Sequence, residues 1–152
     1  MNNFQFDYIQ HFVLITYRLT TDIIHSLTSD FGGSMPKKNL LLEYSEQLAI
    51  SIVNLCKEYK IDSNTLFQIK KSSSSVFANI TEAQYPQSLA DMLSKLKIAR
   101  KECVETESWL KLLFSTNVVP ERTFKDNRNL CGRITRMLTA SCKTIENKIK
   151  QG

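Results

Sequence analysis

Glycine and proline are scarce in this chain of 152 residues, with 4 Gly and 3 Pro. A sandwich, a barrel or a nucleotide-binding α/β domain needs more turn-formers, so the shortage argues against all three. Histidine occurs twice, and the 4 Cys make neither a Cys-x-x-Cys pair nor a Cys/His ligand spacing, which argues against a structural zinc site. Cys56, Cys103, Cys131 and Cys142 each fall among apolar residues at helical spacing. Buried free thiols in a reducing compartment have that setting. Long apolar runs are missing too. Phe12 to Ile15, the longest near the start, is too short for a signal peptide or a membrane span. A soluble, cytoplasmic protein without a membrane partner is therefore expected.

Apolar residues make up 42% and charged residues 23%, the balance of a chain that can bury a core. Lys and Arg number 20 against 15 Asp and Glu, for a net charge of +5. The excess is uneven. Residues 1–36 hold only Arg18 against Asp7, Asp22 and Asp30, so everything basic in the balance sits after them. A basic body favours a polyanionic partner.

Apolar residues recur with helical period over five segments. Residues 4–27 place Tyr8, Phe12, Ile15, Leu19 and Ile23 on one face, and Gly32-Gly33 ends them. Met35-Pro36 opens a second segment running to about Tyr59, with Leu41, Leu48, Ile52 and Leu55 as its apolar line. Asp62, Ser63 and Asn64 supply N-cap chemistry for a third, to about Gln84, with Leu66, Ile69, Ser73, Val76, Ile80 and Ala83 as its seam. The period runs through Ser72 to Ser75 without a phase break, so that run is helix with small seam residues rather than a linker. After Pro86, Ser88 to about Thr116 keeps an a/d spacing through Met92, Leu96, Ala99, Cys103, Thr106, Leu110 and Leu113, with Trp109 beside it. Asn117 to Pro120 reads as a turn, and Pro120 opens a last segment to the C-terminus. Phe124, Cys131, Ile134, Leu138, Cys142, Ile145 and Ile149 line one face of it. The fold expected is all-α: an up-and-down four-helix bundle over residues 37–152, preceded by an N-terminal amphipathic helix and linker, 1–36. That first helix either caps its own bundle or docks on a neighbour.

Two stretches carry a resemblance. Gln68-Ile69-Lys70-Lys71, the serine run, and then Asn79-Ile80-Thr81-Glu82-Ala83 resemble the second-helix signature of a bacterial four-helix-bundle family that includes the proteins encoded in rRNA intervening sequences. Ile98-Ala99 followed by Glu105-Thr106-Glu107 resembles its third-helix pattern, and Ser88 with Asp91-Met92 the link between the two. The likeness spans roughly residues 43–150. Ala83 stands where the family has glycine, Met92 where it has phenylalanine, and the Arg that commonly follows the glycine is missing. A rival register takes Met35-Pro36-Lys37-Lys38 as the family's first turn and residues 8–27 as its first helix; it leaves the Asn79 to Glu82 match unexplained. The resemblance implies a homo-oligomeric ring such as a pentamer, with no enzymatic activity. The accessory proteins of diversity-generating retroelements look like relatives, which implies a place beside a reverse transcriptase and its RNA template.

The strongest chemical feature lies on the last segment. At 100° per residue, Arg122, Lys125, Arg133, Arg136, Lys143 and Lys150 fall within an arc of about 100°, opposite the apolar face. A solvated face usually mixes charge signs, whereas this one is interrupted mainly by Asp126 at its edge. Such a line suits the phosphates of RNA or DNA, each of which releases a counterion when neutralised. No aromatic residues alternate with the cations, so contact with the backbone is expected rather than base stacking. The alternative is a protein–protein scaffold whose basic face merely keeps it soluble. Lys70, Lys71, Glu82, Glu105 and Glu107 are expected to be structural ion-pair residues. Carboxylates without an activating His, a metal cluster or a phosphate cradle rarely do catalysis. Asp22-x-x-His25 has the spacing of a ligand pair, but a di-iron bundle needs two fuller copies. No P-loop or dinucleotide fingerprint occurs. No cofactor and no metal are expected.

Overall fold

The computed structural model describes residues 39–151. The helix expected over 4–27, the linker that follows it, and Asp22 with His25 lie outside them. The described residues form four helices: α1 (Leu40–Glu58), α2 (Ser63–Glu82), α3 (Leu89–Ser115) and α4 (Glu121–Gln151).

Local chemistry sets the boundaries. Asn39 caps α1, its Oδ1 accepting from the Leu42 N–H at 3.2 Å, while its Nδ2 donates to Gln84 at 2.7 Å and ties the start of α1 to the end of α2. Asp62 caps α2 by accepting from the Thr65 N–H at 3.0 Å, and that bond holds the Asp62 carboxyl below its usual range. Ser88 caps α3 through the Asp91 N–H at 3.1 Å, and the Asp91 carboxylate in turn accepts from the Gln87 N–H at 3.1 Å. The α3–α4 corner closes in a Schellman arrangement. Asn117 takes the left-handed conformation at φ 57°, and the Val118 N–H reaches back to the Leu113 carbonyl at 2.9 Å. Phe114 and Phe124 stack across this corner with ring centroids 4.6 Å apart. The Pro120 carbonyl accepts the first bond of α4, from the Phe124 N–H at 3.1 Å. Ala83 sits at φ −64° and is fully buried at the end of α2, so the corner asks for no glycine there.

The helices pack as a closed cycle, α1 on α2, α2 on α3, α3 on α4 and α4 on α1. Leu48, Ile52, Ile69, Val76, Ile80, Leu96, Leu110, Ile134 and Leu138 fill the centre with at most 2% of their surface exposed. Burying each of them contributes about 1.5–3 kcal/mol, which is why the apolar period decides the fold. Between α2 and α3 the seam is polar. Thr106 Oγ1 donates to Ser72 Oγ at 2.9 Å, and Ser72 donates onward to the Ile69 carbonyl at 3.3 Å. Ser72 and Ser73 are buried to within 1% of their surface, so the serine run is helix interior and lets the two backbones approach. No helix among the described residues is long and apolar enough to cross a membrane.

Candidate nucleic-acid interface

Helix α4 buries Asn127, Cys131, Ile134, Leu138, Cys142 and Ile145. The turn angle that points these inward points Arg122, Lys125, Arg133, Arg136, Lys143 and Lys150 outward, and all six are exposed. At 1.5 Å per residue the line from Arg122 to Lys150 is about 42 Å long. Lys125 is the one of the six in an ion pair among the described residues, its Nζ lying 2.7 Å from Glu121 one turn earlier. That pair holds the Glu121 carboxyl below its ordinary range. Both partners are well exposed, so the pair is weak and readily exchanged. Arg133 leans toward α1, with its guanidinium carbon 5.7 Å from the centre of the Tyr44 ring. This contact orients the side chain without neutralising it.

Beside the line lies a groove of about 540 Å³, lined by Glu107, Arg128, Asn129, Gly132, Arg133 and Arg136. Gly132 leaves its floor open: a Cβ there would meet only an Arg136 nitrogen, at 3.7 Å. Arg128 Nε binds Glu107 Oε1 at 3.1 Å across the α3–α4 seam and stands over the Phe124 ring at 6.0 Å. Arg133 and Arg136 have no carboxylate partner among the described residues.

The five expected ion-pair residues divide. Glu82 pairs with Lys95 of α3, and the bond raises the Lys95 pKa. Glu107 pairs with Arg128 of α4. Glu105 instead accepts from the Trp109 Nε1–H at 3.4 Å. Lys70 and Lys71 make no ion pair among the described residues; Lys70 is near enough to Cys56 to offset part of the rise that burial gives its thiol. These residues do not gather into one cluster, and no group of described residues is arranged to hold a metal ion.

All four cysteines are buried free thiols. Cys103 and Cys131 face each other between α3 and α4: Cys103 Sγ donates to the Cys131 carbonyl and accepts from Thr135 Oγ1, both at 3.5 Å. The hydrogen bond with Cys103, reinforced by burial, pushes the Cys131 thiol far above its ordinary range. It is a packed, protonated thiol rather than a nucleophile.

Fold and surface together define a class: a small all-α bundle that is basic along one side and lacks a clustered reaction centre among the described residues. The model of the family described as 23S rRNA-intervening sequence protein matches residues 37–140, and the chain belongs to that family. It is also similar to a crystal structure of a protein of unknown function from the S23 ribosomal protein family of Bacteroides thetaiotaomicron. The two are 37% identical, with a TM-score of 0.65, over 68% of this chain and 98% of the other. The chain has no significant match among curated proteins.

Proposed function

We propose that this protein is a non-enzymatic, homo-oligomeric helical bundle that binds the backbone of structured RNA or DNA through the outer face of α4. One observation carries the reading: six cations stand exposed along about 42 Å of one helix, five of them without an ion-pair partner among the described residues. Three carboxylates stand at (i, i+4) spacing from these cations, Glu121, Asp126 and Glu146, and of them only Glu121 closes an ion pair with one of the six among the described residues. A ring assembly, which the family resemblance implies, would repeat the line in every subunit and raise affinity by multivalency.

A filter-binding titration against salt tests the reading. If five or six phosphates are neutralised on duplex DNA, log affinity falls with log salt at a slope of about −5. Arg133→Glu with Arg136→Glu is expected to abolish binding while the far-ultraviolet circular dichroism stays that of a helical bundle. Binding that is absent or indifferent to salt would instead favour a protein–protein scaffold. The finer role, accessory to a reverse transcriptase in a diversity-generating retroelement, is supported by the resemblance alone. The flanking genes test it: a reverse transcriptase beside a variable repeat supports it, and a position inside an rRNA insertion removes it.

A further inference from the structure

The α4 line borders a furrow whose other wall belongs to α3. Lys97, Arg100, Lys101 and Val104 face Thr135 and Thr139 of α4 around a cleft of about 450 Å³. The groove at Gly132 adjoins it along α4, the two linings being centred about 8 Å apart at 1.5 Å per residue. Cross-helix contacts fix the levels: Glu107 meets Arg128, Cys103 meets Thr135, and Lys97 meets Glu146. Lys101, two residues from Cys103 in the direction of Lys97, is therefore level with the stretch of α4 between Arg136 and Lys143.

The charge facing this furrow is one-sided. Its two carboxylates are both engaged, Glu107 by Arg128 at 3.1 Å and Glu146 by Lys97 at 2.7 Å. Arg100 stands close enough to Glu146 to help hold that carboxyl low. Lys101, Arg136 and Lys143 have no ion-pair partner among the described residues. The floor between them offers no free hydroxyl proton: Thr139 donates to the Thr135 carbonyl at 2.8 Å, and Thr135 to Cys103 Sγ at 3.5 Å. Recognition in the furrow thus falls to the guanidinium and ammonium groups on its walls, donors suited to phosphate oxygens and blind to base identity.

We propose that the α3–α4 furrow is a phosphodiester-binding cleft, in which one nucleic-acid backbone lies between Arg100 and Lys101 of α3 and Arg136 and Lys143 of α4. This rests on the reading of α4 as a backbone-binding helix and widens it from a line on one helix to a cleft between two. A strand on a convex rod meets cations from one side only; in the furrow its phosphates meet them from both.

The test is fluorescence anisotropy over a salt series with labelled duplex RNA, duplex DNA and single-stranded RNA of arbitrary sequence. Arg100→Glu with Lys101→Glu is compared with a charge-matched control, Lys57→Glu with Lys71→Glu, on exposed positions of α1 and α2. The furrow variant should weaken duplex DNA binding at least about tenfold more than the control and flatten its salt slope by about 1.8, or about 0.9 for each phosphate that is no longer neutralised. On single-stranded RNA the flattening should be about 1.4 if that is the form seated. Should the double Glu variant lose helicity, Arg100→Gln with Lys101→Gln is expected to flatten the slope alike. A furrow variant that tracks the control, while Arg133→Glu with Arg136→Glu still abolishes binding, overturns the cleft and leaves the α4 reading standing. A wild-type protein with no salt-dependent binding overturns both.

Discussion

Asn127 occupies a core position of α4 with 3% of its surface exposed. Its Nδ2 donates to the Thr123 carbonyl at 2.9 Å, but its Oδ1 has no hydrogen-bond partner among the described residues. A buried acceptor left unpaired costs about 1–3 kcal/mol, whereas an apolar side chain of similar shape costs none of it. Asn127→Leu is therefore expected to raise stability by about 1 kcal/mol and the melting temperature by a few degrees. A lower melting temperature in differential scanning calorimetry would show that the amide is satisfied in solution. Nothing in the apolar period marks Asn127 as costly, since its position on the core face is legible and its missing partner is not. The same divide runs through the cations. That Arg133 and Arg136 face outward follows from the period alone. That Arg128 is held by Glu107, 21 residues away in sequence, needs the level at which α3 passes α4.

At the scale of the helix and its ends, most of the architecture is legible in the spacing. Ile69, Ser73, Val76, Ile80 and Ala83 of the expected α2 seam are all buried, and so are Leu96 to Leu113 of the α3 seam. Leu66, Met92 and Phe124 are only half-buried because each lies in the first turn or so of its helix, where the neighbours cover less. Helix α1 starts after the Asn39 cap, and an Asn directly ahead of the apolar period is itself a readable start signal. Lys97, Arg100 and Lys101 share one face of α3 at three- and four-residue spacing, a signal as plain as the one on α4 but shorter. The α3–α4 corner depends on Asn117 at φ 57°, a conformation that costs a β-branched residue about 1–2 kcal/mol. Asn117→Val should lower the urea midpoint by that amount of stability, and Asn117→Gly should not. An unchanged midpoint for the valine variant would mean that the corner does not need the left-handed turn.

For the molecule as a whole, the cyclic packing sets α1–α2 and α3–α4 on opposite edges. The first edge carries Ile50, Val53 and Phe67 exposed, and the second carries the furrow with its cations. Residues 1–36 contribute one cation and three carboxylates, so the positive charge belongs to the bundle. A homo-oligomeric ring predicts a solution mass that is a multiple of 17.5 kDa by light scattering. A monomeric mass would remove the ring and leave backbone binding to be judged by its own salt slope. Vertical alignment follows from the hydroxyl contact between Thr106 and Ser72. Sliding α3 along α2 by one turn, about 5.4 Å, would break that contact and leave each hydroxyl only a carbonyl of its own helix, Ile69 for Ser72 and Glu102 for Thr106. With that pin and the interlocked apolar core holding the register, the basic side chains sprout from fixed graduations. The bundle is then a ruler rather than a brush, and whatever lies against it has to match its divisions.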